Sequence, residues 1–164
     1  MRIWIIWPPS SGKTTLAATM SNAILDVERE IIHLYWGDVT KITDLVSFQK
    51  NIAIAQASRE YELRESFTTD NPLYTSLAYC KIIWDAQLIK RATEFVRKHA
   101  KYDFLFYVPA EFPIVKDGVR HWDEAFQAIA ENAILEVLEE NKIQYYTITW
   151  TVEERKQQIL YHTT

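Results

Sequence analysis

The 164-residue chain carries a formal net charge of −4, which argues against a broad basic surface for nucleic acid but not against a local groove. Its 48% hydrophobic and 24% charged residues are typical of a globular protein, and its length suffices for one domain with a full core. The single cysteine, Cys80, excludes an intramolecular disulfide, and we expect it to be buried in a protein of the reducing cytoplasm. No apolar run is long enough to span a membrane.

Strand-like apolar runs alternate with helical patterns along the whole chain. In chain order, the predicted elements are a strand over Arg2–Trp7, a helix that opens at Lys13, a helix over Glu28–Trp36, a helix over Asp44–Leu63, a short strand over Ser66–Thr69, a helical stretch over Leu73–His99 with room for one bend, a strand over Phe104–Val108, a loop over Ala110–Arg120, a helix over Trp122–Asn141, a strand over Ile143–Thr149 and a helix over Val152–Tyr161. Residues Ala23–Asp26 fit either a short strand or a continuation of the first helix. The alternation predicts an α/β fold with a mostly parallel central sheet flanked by helices on both faces.

Two long helices carry apolar residues at helical spacing, which predicts their buried faces. In the earlier helix the residues expected to face inward are Leu45, Phe48, Ile52 and Ala55. In the later helix they are Phe126, Ile129, Ala133 and Val137.

A phosphate-binding loop with one altered residue, over residues 7–15, lies between the first strand and the first helix. The pattern for such a loop is Gly, four residues, then Gly-Lys-Ser/Thr, and Gly12-Lys13-Thr14 supplies its second half. Trp7 occupies the place of the first glycine, which normally gives backbone freedom and close approach. The predicted nucleotide-binding residues are Ser10, Ser11, Gly12, Lys13, Thr14 and Thr15. A working nucleotide site and a structural remnant of one both stay open.

Within this loop, two side chains have predicted chemical roles. Lys13 is expected to reach the β- and γ-phosphates of a nucleoside triphosphate, as a catalytic residue. Thr14 is expected to offer its hydroxyl to Mg²⁺.

A carboxylate, Asp70, follows the short strand before Asn71-Pro72. Beside a phosphate loop, such a carboxylate can hold Mg²⁺ or accept a proton from a substrate hydroxyl. It can equally be a helix cap, since Asp is a common residue before a helix. Both interpretations stay open.

The loop over residues 109–120 ends in Asp117-Gly118-Val119-Arg120. An arginine on such a lid-like loop can lie over the phosphates and neutralise the charge that develops during transfer, with Gly118 as a hinge. The alternative is an ordinary Asp-Gly turn with Arg120 on the surface.

Together these motifs resemble the ribosylnicotinamide kinase domain of the bifunctional NAD-biosynthesis regulators, within the P-loop nucleoside and nucleotide kinases. The resemblance spans nearly the whole chain and extends to AAA-type ATPase-like kinases of phages and bacteria. The motifs that carry it are Pro9–Thr14, Arg29-Glu30, Gln49, Thr69-Asp70 followed by Thr75, Tyr102-Asp103, and Asp117-Gly118-Val119-Arg120.

The resemblance implies a single three-layer P-loop kinase domain over residues 1–164, with ATP as donor and Mg²⁺ as cofactor. Asp70 matches an acidic position that serves the metal or the substrate hydroxyl, and Arg120 matches the lid arginine. Asp26 and Arg29 match acidic and basic positions that face the acceptor, Asp26 as a candidate catalytic residue. Asp117 is a further candidate for substrate binding.

The implied acceptor is a small nucleoside or nucleotide-like molecule, and neither a membrane nor an oligomeric state is implied. One alternative is a kinase for a modified base or an end in DNA, against which the net negative charge counts. The other is a regulatory module that keeps the fold with a degenerate phosphate loop, for which Trp7 is the best argument.

Overall fold

In the computed structural model, residues 1–6, 12–35, 37, 41–109 and 124–164 are described. Within them, the strands are β1 (Arg2–Ile6), β2 (Ala23–Ile24), β3 (Phe67–Thr69), β4 (Phe104–Tyr107) and β5 (Tyr146–Thr147). They form one sheet in the order β2-β3-β1-β4-β5, and every neighbouring pair is parallel. The predicted α/β fold with a parallel central sheet is confirmed.

Helices cover both faces of this sheet. They are α1 (Lys13–Ala17), α2 (Val27–Tyr35), α3 (Leu45–Leu63), α4 (Leu73–Ile83), α5 (Ala86–His99), α6 (Glu124–Glu140) and α7 (Val152–Thr163). Because successive side chains of a strand point to opposite faces, Trp4 and Ile6 pack with α4 and α6, while Ile3 and Ile5 pack with α1 and α7. A third buried cluster joins β2 and β3 to α2 and α3 at one side of the sheet.

The structure decides two boundaries that the sequence left open. Residues Ala23–Ile24 pair with β3, so the strand alternative is correct and the first helix ends before them. The helical stretch after β3 is broken into α4 and α5, because Trp84 adopts a left-handed conformation with φ 61°. The Asp85 side chain then accepts a hydrogen bond from the Leu88 amide and caps the second helix.

Other predictions need correction. The last strand is limited to Tyr146–Thr147, shorter than the alternating run suggested. Leu45 is 50% exposed and Ile129 is 51% exposed, so neither faces the core as predicted. Periodicity locates an apolar stripe only to within about a residue, and packing selects the face. On α3 the buried face includes the polar residues Gln49, Gln56 and Glu60.

Cys80 is buried and its thiol is free, as predicted. Burial raises the pKa of this thiol to about 12, so it stays protonated and behaves as a small apolar group. Among the helices of the described residues, none has the length and hydropathy that a bilayer crossing requires.

Candidate active site

Polar segments converge at the carboxyl edge of the sheet. Gly12–Thr14 lies at the start of α1 beyond β1, Asp26 follows β2 and Asp70 follows β3. In a parallel sheet these strand ends share one edge, and ligands bind there where the strand order reverses. The order reverses at β1, which lies between β3 and β4.

The backbone conformation at the start of α1 explains why residue 12 of the phosphate loop is a glycine. Gly12 has φ 87° and ψ 13°, a left-handed conformation that costs glycine little and other residues more. Its carbonyl accepts a hydrogen bond from the Leu16 amide at 3.0 Å, which begins the helix. The glycine therefore turns the chain so that Lys13 and Thr14 start the helix beside Asp70.

The centre of the site is a hydrogen bond between side chains 56 residues apart in sequence. The Thr14 hydroxyl donates to Asp70 Oδ2 at 2.6 Å, and Asp70 is only 2% exposed. Its other oxygen, Oδ1, is buried without a hydrogen-bond partner among the described residues. The carboxylate does not cap α4, whose N-cap residue is Pro72.

Burial is the main cause of an upward shift in the pKa of the Asp70 carboxyl. The positive charge of Lys13 and the hydrogen bond from Thr14 act in the opposite direction, which places both beside the carboxylate. Asp26 acts in both directions, since its negative charge raises the pKa slightly and its backbone amide, which lies near the carboxylate, lowers it. The structure therefore brings Lys13, Thr14, Asp26 and Asp70 into one electrostatic cluster.

The oxygen donors of this cluster fit Mg²⁺. A buried carboxylate oxygen without a partner is costly, and a hard divalent cation would satisfy it. The Thr14 hydroxyl supplies a second hard oxygen beside it. Within the described ranges, no group of three or more His, Cys, Asp or Glu side chains could hold a metal. Mg²⁺ needs only one or two protein ligands, because it keeps water and phosphate oxygens, so Thr14 and Asp70 would suffice to hold it.

Asp26 and Arg29 form a partly exposed ion pair beside this cluster. Asp26 Oδ1 lies 3.8 Å from Arg29 Nε, and each side chain is 38% exposed. Asp26 has φ 52°, and its carbonyl accepts a hydrogen bond from the Glu30 amide at the start of α2. Both side chains therefore lie at the rim of the site, within reach of a bound molecule.

A family model described as an AAA domain matches residues 2–155. The chain belongs to this AAA domain family. No curated protein matches it.

Solved structures resemble the AAA domain over nearly its full length. A deoxyadenosine kinase from M. mycoides with the products dCMP and dCDP matches with a TM-score of 0.69 and 13% identity, over 99% of this chain and 98% of the other. The NadR protein in complex with NAD and AMP-PNP matches with a TM-score of 0.72 and 14% identity, over 98% of this chain and 48% of the other. NadR in complex with NR matches with a TM-score of 0.73 and 14% identity. At these identities the likeness concerns the fold, and the chain spans about half the length of NadR.

The predicted resemblance to P-loop nucleoside kinases is thereby confirmed at the level of the fold. Several predicted site residues lie outside the described residues: Trp7, Ser10, Ser11, Asp117 and Arg120. Their roles, and that of the loop over residues 110–120, stay predictions. The exposed Thr15 lies on α1 beside the cluster.

A cavity of about 310 Å³ between α3, α4 and α5 went unnoticed in the sequence. Its walls are mostly apolar, but Gln49 and Ser76 line it, at 6% and 3% exposure. The Ser76 hydroxyl has no hydrogen-bond partner among the described residues. Gln49 entered the sequence analysis only through the resemblance, and Ser76 belongs to no motif, so only the packing of three helices reveals the cavity.

A buried polar network behind the site also carries no sequence motif. Gln56 Nε2 donates to Thr69 Oγ1 at 2.9 Å and to Glu60 Oε1 at 2.7 Å. The Tyr102 hydroxyl lies 2.7 Å from both carboxylate oxygens of Glu60. Burial raises the pKa of Glu60 to about 7, although the hydrogen bonds from Gln56 and Tyr102 favour the charged form. One possible signal was the polar residues on the face of α3 where an apolar stripe was expected.

Proposed function

We propose that this AAA domain is an ATP-dependent kinase that transfers a phosphoryl group to a hydroxyl of a nucleoside or nucleotide-like acceptor. The observation that carries the proposal is the hydrogen bond from Thr14 to the buried Asp70 beside Lys13, with Asp70 Oδ1 lacking a hydrogen-bond partner among the described residues. The kinases with similar folds support it, since deoxyadenosine kinase and NadR are recorded with nucleotides. We assign the activity to one domain over residues 1–164.

The donor side is the phosphate loop. Backbone amides from Ser10 to Thr15 would surround the phosphates, and the Lys13 ammonium would neutralise charge on the transferred group. Mg²⁺ would supply positive charge that offsets the negative charge developing on the phosphates during transfer. Thr14 and Asp70 would hold it, and Arg120 on the loop over residues 109–120 would add a further positive charge.

The carboxylates of Asp70 and Asp26 differ in exposure, and we assign them different roles on that ground. Asp70 is buried against Thr14 and Lys13, which suits a metal-holding role. Asp26 lies at the rim and is 38% exposed, which suits contact with the acceptor. Asp26 would accept the proton of the acceptor hydroxyl while the oxygen of that hydroxyl bonds to the γ-phosphorus. The bond between the γ-phosphorus and the β-phosphate oxygen would break, and ADP would be released. Arg29 would orient Asp26 and the acceptor, with Asp117 as a second substrate contact.

The cavity between α3, α4 and α5 is our candidate for the acceptor site. The contact between Gln56 and Thr69 sets α3 beside the end of β3, and α3 ends at Leu63, just before β3 begins. The helix therefore runs opposite to the strand, and Gln49, seven residues earlier, lies roughly 10 Å farther toward the carboxyl edge. The cavity is large enough for a nucleoside, and Gln49 and Ser76 can pair with the polar edge of a base.

The decisive experiment is a transfer assay that measures ADP release and product formation with ATP, Mg²⁺ and a panel of nucleosides, nucleotides and DNA ends. Lys13→Ala should lower the rate by at least about 100-fold, because it removes charge stabilisation of the transferring group. Lys98→Ala, at an exposed position near the end of α5, is the matched control and should keep the parent rate. Unchanged transfer by K13A would contradict the proposal. Transfer to DNA ends alone would favour the DNA-kinase alternative.

A further inference from the structure

The two backbone amides just beyond β3, those of Asp70 and Asn71, make long hydrogen bonds. Strand β3 has three residues, and Asp70 directly follows the last of them, Thr69. The Asp70 amide donates to the Ile24 carbonyl at 3.3 Å, and the Asn71 amide donates to Thr69 Oγ1 at 3.2 Å. Bonds of this length hold the turn after β3 loosely, so besides the hydrogen bond from Thr14 a further contact would limit the movement of Asp70.

Gln56 supplies that further contact. Its Nε2 lies 2.9 Å from Thr69 Oγ1, closer than either bond of the neighbouring backbone, and both side chains are 0% exposed. The Thr69 hydroxyl therefore accepts from Gln56 on one side and from the Asn71 amide on the other. A side chain on α3 is thereby joined to the turn on which Asp70 sits.

Glu60 and Tyr102 determine which end of the Gln56 amide faces Thr69. Glu60 Oε1 accepts a hydrogen bond from Gln56 Nε2 at 2.7 Å, so the amide nitrogen of Gln56, and not its carbonyl, lies between Glu60 and Thr69. The Tyr102 hydroxyl holds Glu60 in turn and lies 3.5 Å from the amide of Leu73, the first residue of α4. The network therefore contacts the chain on both sides of Asp70.

The buried amide of Gln56 lowers the stability of the core. Gln56 Oε1 is buried without a hydrogen-bond partner among the described residues. A Leu or Met would fill the same space between α3 and β3 without leaving a polar atom unpaired. Gln56 therefore lowers the stability of the core, yet it is hydrogen-bonded to Thr69, the residue before Asp70. This combination points to a role in the site.

On the basis of the proposed function, we propose that Gln56 is a positioning residue: it holds Thr69 so that Asp70 Oδ1 stays aimed at Mg²⁺. Gln56 does not touch the nucleotide or the metal. Its removal should weaken the metal site while leaving the phosphate loop in place.

The experiment measures nucleotide affinity of the full chain by calorimetry across a Mg²⁺ series, together with thermal unfolding. Gln56→Leu and the isosteric Thr69→Val each remove one side of the contact. Both should raise the Mg²⁺ concentration for half-maximal affinity about tenfold, as losses behind a metal ligand do. Affinity without Mg²⁺ should stay as in the parent, and Thr69→Ser, which keeps the hydroxyl, should restore the Mg²⁺ dependence.

Ile52→Ala is the matched control, since Ile52 is buried on the same helix one turn before Gln56. It should lower the unfolding temperature without changing the Mg²⁺ dependence. Should Q56L fail to fold, T69V decides alone, because it retains the shape and β-branching of threonine. Parent-like Mg²⁺ dependence in the folded variants would overturn the positioning role and leave the proposed function standing. A parent chain whose nucleotide affinity does not respond to Mg²⁺ would overturn the proposed function, and the positioning role with it.

Discussion

Asp70 and Glu60 are both buried carboxylates, yet their oxygens are used differently. Asp70 binds Thr14 with one oxygen and keeps the other without a partner among the described residues. Both oxygens of Glu60 lie within hydrogen-bond distance of Tyr102, and one also accepts from Gln56. Burial raises the pKa of both groups. Burial and a raised pKa therefore do not distinguish the two carboxylates, whereas an oxygen beside Lys13 and Thr14 without a partner in the described part of the chain is found in Asp70 alone of the two.

The positions of the two carboxylates agree with this difference. Asp70 follows β3 at the carboxyl edge, beside Lys13. Glu60 lies on the last turn of α3 and shares a pocket with Arg2, the first residue of β1. One carboxylate thus faces the edge where ligands bind, and the other closes the opposite end of the core.

The largest expected effect comes from Asp70→Asn. The change keeps the shape but removes the charge, so transfer should fall roughly 100- to 1000-fold, while stability should hold or rise because a desolvated charge is gone. Transfer rates and thermal unfolding measure the two effects. Glu60→Gln is the comparison variant and should retain most of the activity. Equal activity losses in D70N and E60Q would break the distinction between the two carboxylates.

The next largest expected effect is the pH dependence of the unfolding free energy that the titration of Glu60 causes. Its pKa rises from the ordinary 4.5 to about 7 in the folded chain. A raised pKa means that the contribution to stability is complete below pH 4.5 and is lost as pH rises through 7. Relative to E60Q, the parent should lose about 3 kcal/mol of unfolding free energy over this range. Urea unfolding at a series of pH values measures it, and a constant difference between parent and E60Q would contradict the shift.

A smaller effect is expected from Gln49→Leu. If the cavity holds the acceptor, losing the amide should raise the KM for the acceptor about tenfold and leave the KM for ATP unchanged. Ile54→Ala, at an exposed position on the cavity rim, is the control and should change the acceptor KM less. Equal changes in both KM values would place Gln49 outside the acceptor site, and the open hydroxyl of Ser76 would then need another explanation.

The smallest effect on stability should come from Arg29→Ala. The ion pair with Asp26 is partly exposed, so unfolding free energy should change by less than about 1 kcal/mol. The acceptor KM should nevertheless rise, since Arg29 lies at the rim of the site. Denaturant unfolding and steady-state kinetics on the same sample separate the two. A stability loss without a kinetic change would make the pair structural, in contrast to Asp70.

Short sequence patterns predicted which helices and strands form better than they predicted where these end and which face is buried. The apolar run at β1 and the Gly-Lys-Thr triplet located the first strand and helix correctly. The helical stretch over Leu73–His99 was predicted with room for one bend, but the bend was not located, although Asp85 is a good helix cap, because the surrounding pattern is helical on both sides. Leu45 and Ile129 were assigned to the core because periodicity defines a stripe but not the neighbour that covers it.

The site was predicted in part. Lys13, Thr14 and Asp70 were named for their chemistry, and the structure places them together. Gln56 and Ser76 were not named, since a glutamine or a serine in a helix is ordinary until its burial is known. Their importance depends on which residues surround them, and that information is spread over α3, α4 and β3.

The sequence by itself determined the alternation of strands and helices, the parallel sheet and the phosphate loop, because these depend on local propensity and on residues a few positions apart. Only the tertiary structure decided that Asp70 bonds Thr14 and not the start of α4, that Asp70 Oδ1 stays open, and that Gln56 holds Thr69. The physical reason is the crossover connections of a parallel sheet, which bring side chains such as Thr14 and Asp70 together at one edge, far apart in sequence.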